Sequence, residues 1–261
     1  MVHSAIGTRH EQRSQPCQDY GNYRIEEPYL LGAVSDGAGS AKHAEIGAQI
    51  AVETALEAIF QALSSQFIQV PTWAEMEQAA PELFEQVLDT ILSALHQETV
   101  SSSCELRDLG CTLLAFVATP DWVAAIQIGD GFMMLRSHPD APYQLLFEPD
   151  KGEFINETIF VTTSSAKDYM SVCVEAVQSP FLCAATDGLE RVAVRLQDWQ
   201  PYAPFFQPFE ACLLQLPTAV EQYSYLKTFL ESERLNAKTD DDKTLLVCLY
   251  SAELPEEQWV V

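Results

Sequence analysis

What most constrains this chain is the shortness of the links between its apolar runs. From Thr112 onward the segments TLLAFVA, WVAAIQIGDG, FMMLRS and YQLLFE are separated only by Pro-Asp, Asp-Gly and His-Pro-Asp-Ala-Pro stretches. Links of that length cannot carry the chain across to a parallel neighbour, so these strands must pair as antiparallel hairpins. TIFVTT at 158–163, SVCVEAV at 171–177, FLCAATDG at 181–188 and KTLLVCLY at 243–250 are expected to be further strands.

The first part of the chain supplies two more strands, at 20–26 and 29–35, around a Glu-Pro turn. Two amphipathic helices follow. In the first, 44–63, Ile46, Ile50, Ala51, Leu56, Ile59, Phe60 and Leu63 recur at helical spacing. The second is expected to begin with Pro81 at its first position and to carry Leu83, Phe84, Val87, Leu88, Ile91, Leu92 and Leu95 on one face. The stretch 189–235 reads as helical again, with segments at 205–216 and 220–235 parted by Pro217. Strands, two helices, a long run of strands, helices and a closing strand predict an α+β fold. Its two antiparallel sheets stack face to face and are flanked by helices, a four-layer α/β/β/α sandwich. With no repeat, linker or low-complexity stretch, 1–261 reads as one domain with a C-terminal tail at about 251–261.

Composition narrows the function. At 261 residues and 48% apolar, the chain can bury a substantial core. Its 38 Asp and Glu against 14 Lys and Arg give a net charge of −24, with no basic patch in the sequence, so neither nucleic acid nor an anionic membrane surface is an expected partner. Seven cysteines, at 17, 104, 111, 173, 183, 212 and 248, form no CxxC pair and mostly lie inside apolar runs, which predicts reduced thiols in a cytoplasmic protein. The N-terminal stretch lacks the apolar core of a signal peptide, and no run reaches 18 consecutive apolar residues. The five histidines show no zinc-site spacing.

Four carboxylates share one context. Asp36 in AVSDGAGS, Asp130 in IQIGDG and Asp187 in AATDGL each close an apolar strand and precede glycine, while Asp241 lies just ahead of the last strand. Any one of them is explained by turn chemistry alone. Together, on neighbouring strands, they would converge at one sheet edge and repel one another unless divalent cations neutralised them. Hard oxygen ligands favour Mg²⁺ or Mn²⁺.

The order QD, DGAGS followed by a helix, GCT, GDG, TDGL and DDKT before an apolar strand resembles the metal-dependent protein serine/threonine phosphatases of type 2C. The opening GTRHEQRSQPCQDY is similar to their bacterial branch. The resemblance spans about residues 3–250 and implies hydrolysis of phosphomonoesters on a phosphorylated protein, by a water bridging two Mn²⁺ or Mg²⁺ ions per chain with a third metal in some members. It implies that Asp36 bridges the two metals with the Gly37 carbonyl as a further ligand. Asp187 and Asp241 complete the first metal, Asp19 holds metal or its water, and Asp130 serves a third metal with Asp187. A phosphate-binding Arg is implied before Asp19, with Arg13 closer in spacing than Arg9.

The chain departs from the pattern in several places. Ala38 stands where many members carry a histidine that protonates the leaving alcohol, and His43 is the substitute in sequence, its alternative being a capping or solvated side chain. Gly131-Phe132 replaces a Ser-Arg, and Arg191 stands where an acid is common, with Glu190 one step out of register. The expected activity is therefore a protein phosphatase acting as a monomer. The alternatives are an inactive relative that binds phosphoproteins or a regulatory partner, and a protein that uses metal for structure alone.

Overall fold

The computed structural model describes residues 1–147 and 158–250; Glu148 at the end of YQLLFE and the proposed tail at 251–261 lie outside the described residues. The strands are β1 Val2–Ala5, β2 Tyr20–Glu26, β3 Tyr29–Ser35, β4 Leu113–Ala118, β5 Trp122–Ile128, β6 Phe132–Arg136, β7 Gln144–Leu145, β8 Ser171–Ala176, β9 Phe181–Ala185, β10 Val194–Arg195, β11 Gln200–Pro201 and β12 Lys243–Leu249. The α-helices are α1 Thr8–Gln12, α2 Ala44–Gln66, α3 Trp73–Ser101, α4 Glu190–Ala193, α5 Ala203–Gln215, α6 Ala219–Leu230 and α7 Glu233–Asn236.

Two five-stranded sheets result, ordered β2-β3-β4-β5-β8 and β1-β12-β9-β6-β7, and their pairings are antiparallel. The inner strands β3, β4, β5, β6, β9 and β12 are apolar and buried at nearly every position because both faces are covered. In β3, Leu30 and Val34 join Phe116, Leu135, Leu182 and Leu246 in the core between the sheets. The alternate residues Leu31 and Ala33 pack outward on α2 and α3 with Leu56, Ile59, Phe84 and Leu88. On the far side, Phe181, Cys183 and Leu245 meet Phe206 and Phe209 of α5 and Leu226 and Leu230 of α6. Each buried Leu or Phe contributes roughly 1.5–3 kcal/mol. These three clusters make the four-layer sandwich that the order of elements predicts. Gly32 shows how closely the sheets approach: a Cβ there would stand 2.9 Å from Leu246 Cδ1 of the facing sheet.

By length and composition α2 is apolar enough to cross a membrane. Its apolar face, Ala48, Ala51, Val52, Ala55, Leu56, Ile59 and Leu63, is instead buried in the core against α3 and the sheet. All seven cysteines are free thiols.

Four expectations are corrected. The second helix starts at Trp73, not Pro81, because Thr72 and Glu75 form a reciprocal capping box. Pro81 lies inside the helix, where the carbonyl it leaves unbonded belongs to exposed Glu77. TIFVTT is a turn rather than a strand: Thr163 donates from its backbone to Phe160 O at 2.9 Å and accepts from Phe160 N at its hydroxyl, while Val161 N reaches Cys111 O at 2.8 Å. Among the described residues of YQLLFE the strand shrinks to Gln144–Leu145 on β6, with Leu146 N still donating to Met133 O at 3.0 Å. Within 189–235, residues 194–201 form the β10–β11 ribbon around a turn with Trp199 at φ 53°, and Ser232 ends one helix and caps the next.

Candidate metal centre

The register brings one edge of the sandwich together. Tyr20 opens β2 opposite Ser35 at the end of β3, and Ala185 at the end of β9 faces both Phe132 at the start of β6 and Leu245 near the start of β12. Asp19, Asp36, Asp130, Asp187 and Asp241 all sit just beyond these strand ends. Thr112, in the GCT motif, fixes the first of the Asp-Gly turns. Its hydroxyl accepts from Asp36 N at 2.9 Å, its N–H donates to Asp36 O at 2.8 Å, and its carbonyl accepts from Ser35 Oγ at 2.6 Å. The backbone of Asp36 is thereby saturated, leaving its carboxylate free of that local pairing.

Carboxylate oxygens of Asp36, Asp130 and Asp187 lie within 4.8 Å of one another. Asp19 backs them: it is buried, its Oδ2 accepts from Thr186 Oγ1 at 2.7 Å, and Thr186 Oγ1 in turn accepts from Thr244 N at 2.9 Å. Asp19 Oδ1 is buried with no hydrogen-bond partner among the described residues. Burial, reinforced by the charges of Asp19, Asp187 and Asp130, pushes the Asp36 carboxyl far above the usual range, and burial raises Asp19 as well. Asp187 is pushed up to about 7, first by burial and then by Asp130, Asp19, Asp241 and Glu190. Crowded, dehydrated carboxylates with an orphaned oxygen are unfavourable alone and fit a hard divalent cation.

The other sequence candidates fall in distinct places. Asp130 is exposed at the tip of the β5–β6 turn, where Gln127 Nε2 donates to the carbonyls of Gly129 at 3.1 Å and Gly131 at 3.0 Å, and Thr158 Oγ1 donates to Asp130 Oδ2 at 2.5 Å. Gly129 has φ 106°, a left-handed conformation that a side chain would strain. Gly37 donates to Gln18 O at 3.1 Å and packs on the start of α2, where a Cβ would stand 2.8 Å from Ala44. Asp241 is not in the three-carboxylate cluster; it is paired with Arg9 Nη2 at 2.8 Å, both side chains partly exposed.

Arg13 is exposed at the C-cap of α1. His43 stands at the N-terminus of α2, its backbone N–H donating to Asp108 O at 2.8 Å and its side chain making no capping bond. Glu190, at the start of α4, is raised by burial and by Asp130, whereas Arg191 is exposed, so the acid one step out of register is the one that senses the cluster. Ala38 is 4% exposed and packs with Ala41, Ala44 and Phe160. Thr112, Thr158 and Thr186 were not legible as site residues, because Thr112 holds the backbone of Asp36 and the other two bond the carboxylates of Asp130 and Asp19, all across chain separations that only the fold closes.

Known proteins resemble this chain in sequence and in fold. The family model described as Protein phosphatase 2C matches residues 6–231. A curated relative, Serine/threonine-protein phosphatase 3 of Escherichia coli (strain K12), is 33% identical over 258 residues, covering 95% of this chain and 96% of that protein. Among solved structures, the serine/threonine phosphatase Stp1 from Staphylococcus aureus superposes with a TM-score of 0.62 at 13% identity, over 97% of this chain and 94% of that one. The structure of RsbX in complex with magnesium gives 0.52 at 15% identity, over 96% and 94%. At these identities the two structures show the fold alone.

Proposed function

Since the chain belongs to the protein phosphatase 2C family, we propose that its metal-dependent phosphatase activity on phosphoserine and phosphothreonine in proteins resides at the carboxylate edge. The observation that carries this reading is the convergence of Asp36, Asp130 and Asp187 from separate strands onto one point, with the orphaned oxygen of Asp19 beside them.

In this reading Asp36, Gly37, Asp187 and Asp241 hold two Mn²⁺ or Mg²⁺ ions, Asp19 holds metal or metal-bound water, and Asp130, with Asp187 and Glu190 near it, serves a third. When bound, the cations lower the pKa of water and offset charge on the phosphoryl oxygens. The remaining tasks fall to the chain itself. Arg9, rather than Arg13, is the phosphate-binding arginine: it already reaches a site carboxylate, Asp241, while Arg13 points to solvent from a helix end. His43 supplies the proton to the departing alkoxide, supported by its place next to Ala44, on which Gly37 packs. The chain acts as a cytoplasmic monomer, and its acidic surface disfavours nucleic acid and anionic membranes as partners.

Two substrates separate these roles. Arg9→Ala should raise KM for both para-nitrophenyl phosphate and a phosphothreonine peptide, roughly tenfold or more for loss of a charge-assisted contact, and Arg13→Ala should leave both unchanged. His43→Ala should slow only the peptide, by about 10²-fold, because nitrophenolate leaves without a proton. An unchanged KM in Arg9→Ala, or equal peptide rates in His43→Ala and wild type, would remove that residue from the mechanism.

A further inference from the structure

Next to Asp241 stands a carboxylate that no metal role uses. Asp242 is 3% exposed. Its Oδ1 accepts from Gly7 N at 2.6 Å, and its Oδ2 accepts from Gln18 N at 2.6 Å and from His10 Nδ1 at 2.8 Å. A carboxylate can only accept, so Nδ1 of His10, itself buried at 6% exposure, carries the proton in this pair.

These bonds tie three separated pieces of chain. Gly7 and His10 flank Arg9, whose backbone N–H donates to Asp240 O at 3.0 Å. Gln18 precedes Asp19 and accepts from Gly37 N through its carbonyl. Asp242 itself follows Asp241. The pieces are pressed together without slack: a Cβ on Gly7 would lie 2.3 Å from the carbonyl carbon of Asp241, and one on Gly188 would lie 2.0 Å from Asp242 O. The separation between Asp19, Asp241 and the turn bearing Asp187 is therefore set at one buried point.

We propose that Asp242 and His10 are positioning residues for the metal centre, holding Asp19 and Asp241 at the spacing the cations require without touching them. The proposal rests on the assignment of those two aspartates as metal-holding residues. Three donated N–H bonds occupy most of the acceptor sites of the buried Asp242 and turn it away from a cation, and replacing it by Asn would turn an amide NH₂ toward at least one N–H donor. Partners that orient ligands in this way typically change metal affinity 10–100-fold when lost.

The test is calorimetric titration of Mn²⁺ into chelator-stripped full-length protein, alongside a thermal melt. Asp242→Asn and His10→Ala should weaken Mn²⁺ binding about tenfold or more. His10→Asn should bind nearly as wild type does, because its Nδ2 hangs from Cγ as the imidazole Nδ1 does and can donate to the same oxygen. Lower melting temperatures with unchanged Mn²⁺ affinity in the folded variants would overturn the proposal and leave the network a purely structural staple. Equal losses in His10→Ala and His10→Asn would also overturn it. Should Asp242→Asn fail to fold, the two His10 variants decide. Wild type that takes up no Mn²⁺ would overturn the metal-site assignment itself, and the proposal with it.

Discussion

Asp36→Asn is expected to lower phosphatase activity by about 10³-fold or more, the loss of several kcal/mol of charge stabilisation at the reacting phosphoryl group. The metal-free protein should meanwhile melt no lower than wild type. The substitution keeps size and turn chemistry, and the backbone of Asp36 is held by Thr112 whatever its side chain. What it removes is a buried carboxyl crowded by Asp19, Asp130 and Asp187, a charge that opposes folding until a cation compensates it. A turn-only role predicts the opposite pair of results, with activity intact.

Metal-free stability should fall as pH rises from about 5.5 to 8, and Mn²⁺ should reverse the trend. Asp187 moves up to about 7 in the folded chain, from an ordinary aspartate value near 3.9, and Asp36 and Asp19 are displaced the same way. A folded-state pKa raised above the unfolded one gives stability that is complete below the unfolded pKa and is lost as pH climbs through the folded pKa. The loss therefore lies between about pH 4 and 8 and should show as a decline of roughly 5 °C or more in melting temperature. Mn²⁺ at a hundredfold its Kd adds about 2.7 kcal/mol, and the gain should be larger at pH 8 than at 5.5, because binding at low pH must first expel protons. In Asp36→Asn the pH slope should be shallower. A metal-free melting temperature that rises across this range would mean the carboxylates are not crowded in the folded protein.

Most strands of the sheets were legible because they are short apolar runs bounded by Pro, Gly and Asp, with links that allow only antiparallel neighbours, whereas the edge strand β1, VHSA, has no such run and was not. Asp36, Asp130 and Asp187 were legible for the same reason: each is the residue at which an apolar run stops before glycine. Helix starts were less so. The Thr72–Glu75 capping box was present in the sequence, but Pro81 offered a competing start signal that the apolar face of α3 overrode by extending back to Met76. TIFVTT has the composition of a strand, yet its threonine hydroxyl satisfies the local backbone and closes a turn instead. Least legible was the network around the carboxylates. Asp242 meets His10 across 232 residues of chain, and Thr186 meets Asp19 across 167. No local pattern encodes such pairings, which exist only once β12 lies beside β9 and the N-terminal segment closes over both.

The most direct test of the central claim is hydrolysis of a phosphothreonine peptide by chelator-stripped protein, before and after titration with Mn²⁺ or Mg²⁺. The carboxylate edge predicts no turnover without metal, full restoration on adding it, and no restoration in Asp36→Asn. Turnover that persists in the stripped protein, or a folded, metal-loaded wild type that leaves the peptide intact, would contradict the account.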